Sequence, residues 1–298
     1  MDTEKQLSII IPTYNRYAKA VRTVNALSSQ ILGNDLASSV EVLIVDDGSE
    51  PACAARMRDF ILGQNHPFLR HIELPDNRGA SAARNAGALA SRGSLLAFLD
   101  DDIVPADDYV PAVIQAHQRH PDSLVINGNL RPLRRNVYSE FWFYYYNTVF
   151  NRPGKEFYTV EMLASGHVTM KRSVMTRENP LFDPSLTARE DFDLYLRLKK
   201  QGIPSYKDDS ILAFIDSRTT LVGFLKQRMG YDRGQEQLIA KHGKTVVQMQ
   251  AIVPPNRKYL HLYILLRLTR RAARLYAAAR RQVAGLRGKG HRRARRGA

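Results

Sequence analysis

Short apolar runs that stop at polar turns, with helix-period segments between them, constrain this chain more than any other feature. Residues 7–11 end at Pro12-Thr13-Tyr14-Asn15, residues 40–45 end at Asp46-Asp47-Gly48-Ser49, and residues 95–99 run straight into Asp100-Asp101-Asp102. Runs of this length bounded by turn chemistry read as buried strands. Between the first two, Tyr17, Val21, Val24, Leu27 and Ile31 recur at intervals of three and four, the period of an amphipathic helix. Residues 72–74 add another short strand and residues 80–90 an alanine-rich helix. Strands alternating with helices predict an α/β chain with a parallel sheet covered on both faces. Ligands bind such sheets at the carboxyl ends of the strands, where the polar turns of this chain lie.

Beyond Pro105 the pattern loosens. A helix is expected near residues 107–119, a strand near 124–130, and then an aromatic segment in which eight of the thirteen residues 138–150 are Phe, Trp or Tyr. Residues 189–198 open another helix, with Phe192, Leu194, Tyr195 and Leu198 expected to pack inward. His117 and His120 fall on a helix read as a surface one and, lacking a third ligand nearby, are not read as a metal site.

Composition matters mainly through where the charge sits. The 298 residues carry a net charge of +15, but residues 257–298 hold 14 Lys or Arg and no acid, leaving 30 basic and 29 acidic residues in the first 256. A body this close to neutral argues against nucleic acid as the partner of the folded domain. Within the tail, Leu260, Ile264, Leu268, Ala272, Leu275, Ala279, Val283 and Leu286 form one stripe, and Arg270, Arg274, Arg280 and Arg281 lie opposite. That is the pattern of a basic amphipathic helix lying on an anionic membrane surface; the alternative is a helix packed on the domain with a disordered basic end. The longest apolar stretch, residues 259–266, is far short of the about 20 residues that span a bilayer. Cys53 is the only cysteine, which excludes a disulfide scaffold, and no secretory signal is visible. The expected location is the cytoplasm, peripheral on the inner face of the cell membrane.

Three constellations could carry chemistry. Asp100, Asp101 and Asp102 at a strand end suit a hard divalent cation, Mg²⁺ or Mn²⁺, and equally suit a solvated acidic loop. The small-residue segment 77–87 places Arg84 one turn into a helix whose start could face a diphosphate; the plainer reading is a tightly packed helix with a surface arginine. Glu190 and Asp191 at a helix start are either partners of the helix dipole or a carboxylate base held rigidly toward a cleft.

Taken in order, Ile9-Ile10-Ile11-Pro12-Thr13-Tyr14-Asn15, Val45-Asp46-Asp47-Gly48-Ser49, Asn77-Arg78-Gly79 through Gly87, Phe98-Leu99-Asp100-Asp101-Asp102 and Arg189-Glu190-Asp191 resemble glycosyltransferase family 2 over roughly residues 7 to 235. The resemblance implies a GT-A fold, a Rossmann-like, mixed and mainly parallel sheet with helices on both faces. It divides the chain into a GT-A domain at 1–235, with a nucleotide-sugar half at 1–105 and an acceptor half at 106–235, and a helical basic extension at 236–298. It further implies inverting transfer of a sugar from a nucleoside diphosphate, usually UDP, to a glycan or lipid-linked acceptor, with Mn²⁺ or Mg²⁺ as cofactor. By motif, Pro12 and Tyr14 line the nucleobase pocket and Asp46 accepts a hydrogen bond from the base. Gly79, Arg84, Asp100 and Asp101 belong to the donor site. Asp102 and Asp100 hold the metal, Asp191 deprotonates the acceptor, and Glu190 orients it.

Two departures stand out. Where many relatives place a metal-binding histidine, register gives Asp216, and residues 226–233 lack the Gln-x-x-Arg-Trp signature of processive synthases. A transferase that adds one residue or few is therefore expected. His167, where the family more often has asparagine, could face the acceptor or be structural. The alternative function is a catalytically inactive scaffold that binds a nucleotide sugar or glycan at the membrane.

Overall fold

The computed structural model describes residues 5–150, 152, 154–217, 220–243, 256–269 and 271. Its first half is built as β1 (Lys5–Thr13), α1 (Tyr17–Gly33), β2 (Val40–Asp46), α2 (Pro51–Gln64), β3 (Leu69–Glu73), α3 (Ala80–Ala90), β4 (Gly93–Leu99) and β5 (Ile103–Pro105). The second half follows as α4 (Tyr109–Arg119), β6 (Val125–Pro132), α5 (Val137–Phe150), β7 (Phe157–Val160), β8 (His167–Lys171), α6 (Ser173–Arg177), α7 (Glu190–Lys200), β9 (Ser205–Ile215) and α8 (Leu221–His242). Among the described residues the strands form one nine-stranded sheet in the order β3-β2-β1-β4-β8-β6-β9-β5, with β7 paired to β9.

The pairing is parallel from β3 through β4. It becomes mixed where β8 inserts antiparallel between β4 and β6. The sheet is thus the mixed one expected of a GT-A fold, and the purely parallel reading of the apolar runs holds only for the first half. Alternation along β1 explains its two-sided burial. Leu7, Ile9 and Ile11 pack with Val24, Leu27 and Ile31 of α1 and with Val110 and Val113 of α4. Ile10 faces the other side, toward Ala83 and Ala88 of α3 and Phe192 and Leu198 of α7. Each such fully buried aliphatic side chain stabilises the fold by about 1.5–3 kcal/mol relative to exposure.

The aromatic segment is α5, and it feeds two cores. Phe143 and Tyr146 join the sheet cluster, whereas Phe141 packs with Phe224 of α8 and with Tyr259, Leu262 and Leu266. Residues 260–269 are helical, and their packed stripe is Leu262 and Leu266. The sequence stripe Leu260, Ile264 and Leu268 is the exposed one, at 51%, 51% and 59%. Ala272, Leu275, Ala279, Val283, Leu286 and the arginines opposite them lie outside the described residues. The boundary expected at 235 falls inside α8, which runs unbroken to His242. Its last turn is held to α7 because Lys241 Nζ and His242 Nε2 each lie 2.7 Å from Asp193 Oδ1, a fully buried carboxylate. Among the described residues no helix is long and apolar enough to cross a membrane.

Candidate active site

The acidic corner is assembled by strand register. Ile103 of β5 pairs with Ile215 of β9, which makes Asp102 and Asp216 neighbours, and the Asp216 N–H donates to the Asp102 carbonyl at 2.8 Å. Their carboxylates both reach Lys19 Nζ, at 3.9 and 3.5 Å. Arg16 donates to Asp101 at 3.0 Å and to Asp102 at 3.3 Å, and Arg22 donates to Asp216 at 3.2 Å. Burial opposes the charge of Asp216, but Lys19 and Arg22 outweigh it and hold its carboxyl below the usual range. Asp101 points inward to the Thr13 hydroxyl, which donates at 2.9 Å. Burial pushes its pKa up to about 6 in spite of Arg16.

Two adjacent carboxylates sharing one cation offer hard oxygen donors of the kind Mg²⁺ or Mn²⁺ takes together with water and substrate phosphates. Asp102 and Asp216 therefore fit a divalent cation. Asp100 does not converge with them. It turns instead to Arg84, whose Nη2 donates at 2.6 Å. Among the described residues no group of three or more His, Cys, Asp or Glu side chains is gathered for a metal.

At the carboxyl ends of β1 and β2, parallel register sets Pro12 beside Val45 and Thr13 beside Asp46. Tyr14 is 44% exposed at this sheet end. Asp46 is buried and accepts the Ser49 N–H at 2.9 Å, so it closes its own turn. The next residue, Asp47, accepts the N–H groups of Arg78 and Gly79 at 3.0 and 2.7 Å and so fixes the entry to α3. Gly48 between this turn and the loop is obligatory. Its φ is +70°, and a Cβ there would lie 2.5 Å from the Asp76 carbonyl carbon.

Arg84 is the hinge between the two halves of the site. It is buried on α3, and while Nη2 holds Asp100, Nη1 donates to Glu190 Oε1 at 2.9 Å. The surface arginine of the plainer reading is thus excluded. Burial disfavours the guanidinium charge, but Asp100 and Glu190 outweigh that and raise its pKa. Ser165 donates to the same Glu190 oxygen at 2.8 Å, which fixes the carboxylate from a second side. The following residue, Gly166, presses on Asp100. A Cβ at Gly166 would stand 2.3 Å from Asp100 Oδ2, so the absence of a side chain sets where that carboxylate can point.

Asp191 sits one residue further along α7. It accepts the Phe192 N–H at 2.7 Å and has no ion-pair partner among the described residues. Burial, reinforced by the charge of Glu190, pushes its pKa up to about 7, against the pull of Arg189 and Arg84. A carboxylate poised near neutrality and open to a cleft is suited to take a proton. Asp191, Glu190, Arg84, Asp100 and Gly79 all line one cleft of about 1600 Å³.

Several residues of the site were not among those the motifs singled out. Arg16, Lys19 and Arg22 sit three apart at the start of α1, and that spacing was the available signal for a basic edge facing the acids. Tyr231 of α8 also lines the cleft, with the Arg189 guanidinium 5.3 Å from its ring. His117 departs from its surface reading, and His167 takes the structural one of its two. His117 is buried, with Nε2 2.9 Å from the Thr169 hydroxyl, because α4 packs that face on the sheet. His167 is fully buried and stacked on Tyr109 at 5.6 Å, and burial lowers its pKa to about 3, so it is a neutral residue packed into the lining of the cleft.

An uncharacterized glycosyltransferase of Haemophilus influenzae is 26% identical over 279 residues, spanning 91% of this chain and 88% of its own. Among solved structures, a mannosyltransferase of Pyrobaculum calidifontis in complex with GDP-Man and Mn²⁺ superposes with a TM-score of 0.64 at 19% identity, over 93% of this chain and 76% of that one. Residues 1–349 of S. aureus TarS in complex with UDP-GlcNAc superpose with a TM-score of 0.56 at 16% identity, over 76% and 66% of the two chains. These likenesses give the fold as GT-A. The model for glycosyl transferase family 2 matches residues 8–175, the stretch that carries most of β1, all of β2 to β4, Asp100 to Asp102, Arg84 and Ser165 but not Asp216. The chain is a glycosyltransferase and belongs to glycosyl transferase family 2.

Proposed function

We propose that this glycosyltransferase moves a sugar from a nucleoside-diphosphate sugar to a hydroxyl of a glycan or lipid-linked acceptor, in one displacement that inverts the anomeric centre. The observation that carries this reading is Arg84 joined to both Asp100 and Glu190, with the unpaired, high-pKa Asp191 beside them in the same cleft. In the step, Asp191 takes the acceptor proton and the acceptor oxygen bonds to the anomeric carbon. The bond from that carbon to the phosphate oxygen breaks, with its electron pair leaving on the diphosphate. Arg84 and the first-turn N–H groups of α3 face the charge that develops there. Glu190, fixed by Arg84 and Ser165, keeps Asp191 deprotonated only near or above neutrality. Pro12, Tyr14 and Asp46 border the place for the nucleobase. When bound, a divalent cation on Asp102 and Asp216 supplies neutralisation of the leaving diphosphate.

The exposed Leu260, Ile264 and Leu268, with the basic residues of 257–298, support peripheral attachment to the anionic inner face of the membrane. The test of the donor site is thermal unfolding of the purified chain against nucleoside diphosphates and their sugars, with Mn²⁺ or with EDTA. A ligand at a hundredfold excess over Kd stabilises by about 2.7 kcal/mol. One nucleotide is expected to raise Tm with Mn²⁺ and less with EDTA, and Asp216→Asn to remove the Mn²⁺-dependent part. No shift with any nucleotide sugar would refute the donor assignment.

A further inference from the structure

We propose that α8 is the element that aims the base, and that Gln237 is its positioning residue: by gripping the backbone of residues 185–187 it holds the left-handed turn at Arg189 from which Glu190 and Asp191 enter α7. The proposal rests on the reading of Asp191 as the base and deepens it. Its first support is the turn itself. Arg189 has a φ of +70°, a conformation that a residue with a side chain keeps only where its surroundings hold it. The Arg189 carbonyl accepts the Asp193 N–H at 3.0 Å, the first helical bond of α7, so a change at Arg189 swings the opening turn and the two acids on it.

What holds the turn is the second support. Tyr231, Gly234, Gln237 and Lys241 recur at intervals of three and four and so share one face of α8. Each meets the segment that leads into α7. Gln237 Oε1 accepts the Thr187 N–H at 3.0 Å and the Thr187 hydroxyl at 2.9 Å, and its Nε2 donates to the Ser185 carbonyl at 3.2 Å. These contacts grip the main chain on either side of the buried Leu186, so they fix the path of the segment and not only its side chains. Gly234 lets the helix come so close that a Cβ there would stand 2.4 Å from the Ala188 carbonyl oxygen. The Arg189 guanidinium lies 5.3 Å from the Tyr231 ring, and Lys241 reaches Asp183 at 2.6 Å while also holding Asp193.

Gln237 acts through this turn and not by contact. The groups that bear on Asp191 are Glu190 and Arg189 beside it, Arg84 of α3 and Tyr231 of α8. Burial is the largest influence on the Asp191 carboxyl, and Glu190 adds to it against Arg189 and Arg84. Releasing the segment lets the opening turn of α7 relax and admits water, which returns the carboxyl toward an ordinary aspartate.

The test needs no substrate. The full chain, carrying ¹³C at its aspartate carboxyls, is titrated by NMR, and the Asp191 signal is identified by its loss in Asp191→Asn. The parent midpoint is expected at about 7. Gln237→Met keeps the reach of the side chain without its hydrogen bonds, and is expected to lower the midpoint by about one unit, a tenfold change in the ionisation constant. Gln237→Glu keeps both acceptor contacts to Thr187 and is expected to restore the parent value, and Glu236→Gln, at an exposed neighbour on the same helix, to leave it in place. A midpoint unchanged or raised in Gln237→Met, or lowered equally in Gln237→Glu or Glu236→Gln, would overturn the positioning role while leaving the transferase reading intact. A parent midpoint of about 4, the ordinary aspartate value, would count against Asp191 as the base and overturn the proposal with it.

Discussion

Asp191→Asn should make the protein more stable while abolishing sugar transfer, and the gain should depend on pH. The folded chain raises the Asp191 pKa from 3.8 to about 7, so above neutrality ionising this group costs the folded state free energy that the unfolded state does not bear. At about 1.4 kcal/mol per unit, a shift of about three units is worth at most about 4 kcal/mol. Water reaches part of the carboxylate, so about half of that, roughly 2 kcal/mol, is the expected gain at pH 8. The sign follows from proton uptake. Between the unfolded and folded pKa values the native state holds the extra proton, so the parent chain loses stability as pH rises from about 4 to about 7. Asparagine has no such loss, and its side-chain oxygen can still accept the Phe192 N–H. The advantage of the variant should be full at pH 8 and about a third as large at pH 5. In thermal unfolding that is about 2–5 °C at pH 8. In the parent, kcat/KM should rise with pH through the same ionisation. An equal Tm difference at both pH values, or transfer retained by the variant, would refute the reasoning.

Two further substitutions probe the frame around that base. Arg84→Lys keeps a charge but cannot fork to Asp100 and Glu190, so it should lose about 2–3 kcal/mol in urea unfolding and at least tenfold in nucleoside diphosphate affinity by calorimetry. Gly166→Ala places a methyl against Asp100 Oδ2, and should lower the transfer rate at least tenfold for a stability loss of about 1–3 kcal/mol. Transfer at the parent rate would show that the orientation of Asp100 is immaterial.

The first half of the fold was legible because its signals are local. β1, β2 and β4 are buried on both faces, so their middles are apolar but for Ser8 and Glu41, which bond each other at 2.7 Å, and α1 shows one clean stripe; α2, which buries only Met57 and Ile61, gave no period to read. β9 was hidden because it carries Lys207, Asp208 and Asp209, which become tolerable in a strand only once Lys207 finds Asp209 at 2.9 Å and Arg119 finds Asp208 at 3.1 Å. α5 shows no simple period because Phe141 and Tyr146 serve different cores. The acids of the site could be read from the chain, but their partners could not. Arg16, Lys19 and Arg22 acquire a role only when α1 is laid across the end of β4, a juxtaposition that no neighbouring residue announces. In the tail, Leu260, Ile264 and Leu268 of the stripe face outward, while the packing is done by Tyr259, Leu262 and Leu266, which lie off the stripe and so were not signalled by it.

Arg84 also bears on the order in which substrates arrive. One guanidinium serves both Asp100 and Glu190, so under the proposed mechanism a diphosphate that recruits it competes with Glu190 for the same charge. Loosening that tie alters the field at Asp191, and by linkage whatever the donor does to acceptor affinity, the acceptor does to donor affinity. Under the proposed mechanism a seated diphosphate that draws Arg84 away pushes the Asp191 pKa further up, so donor binding should move the pH at which the base ionises.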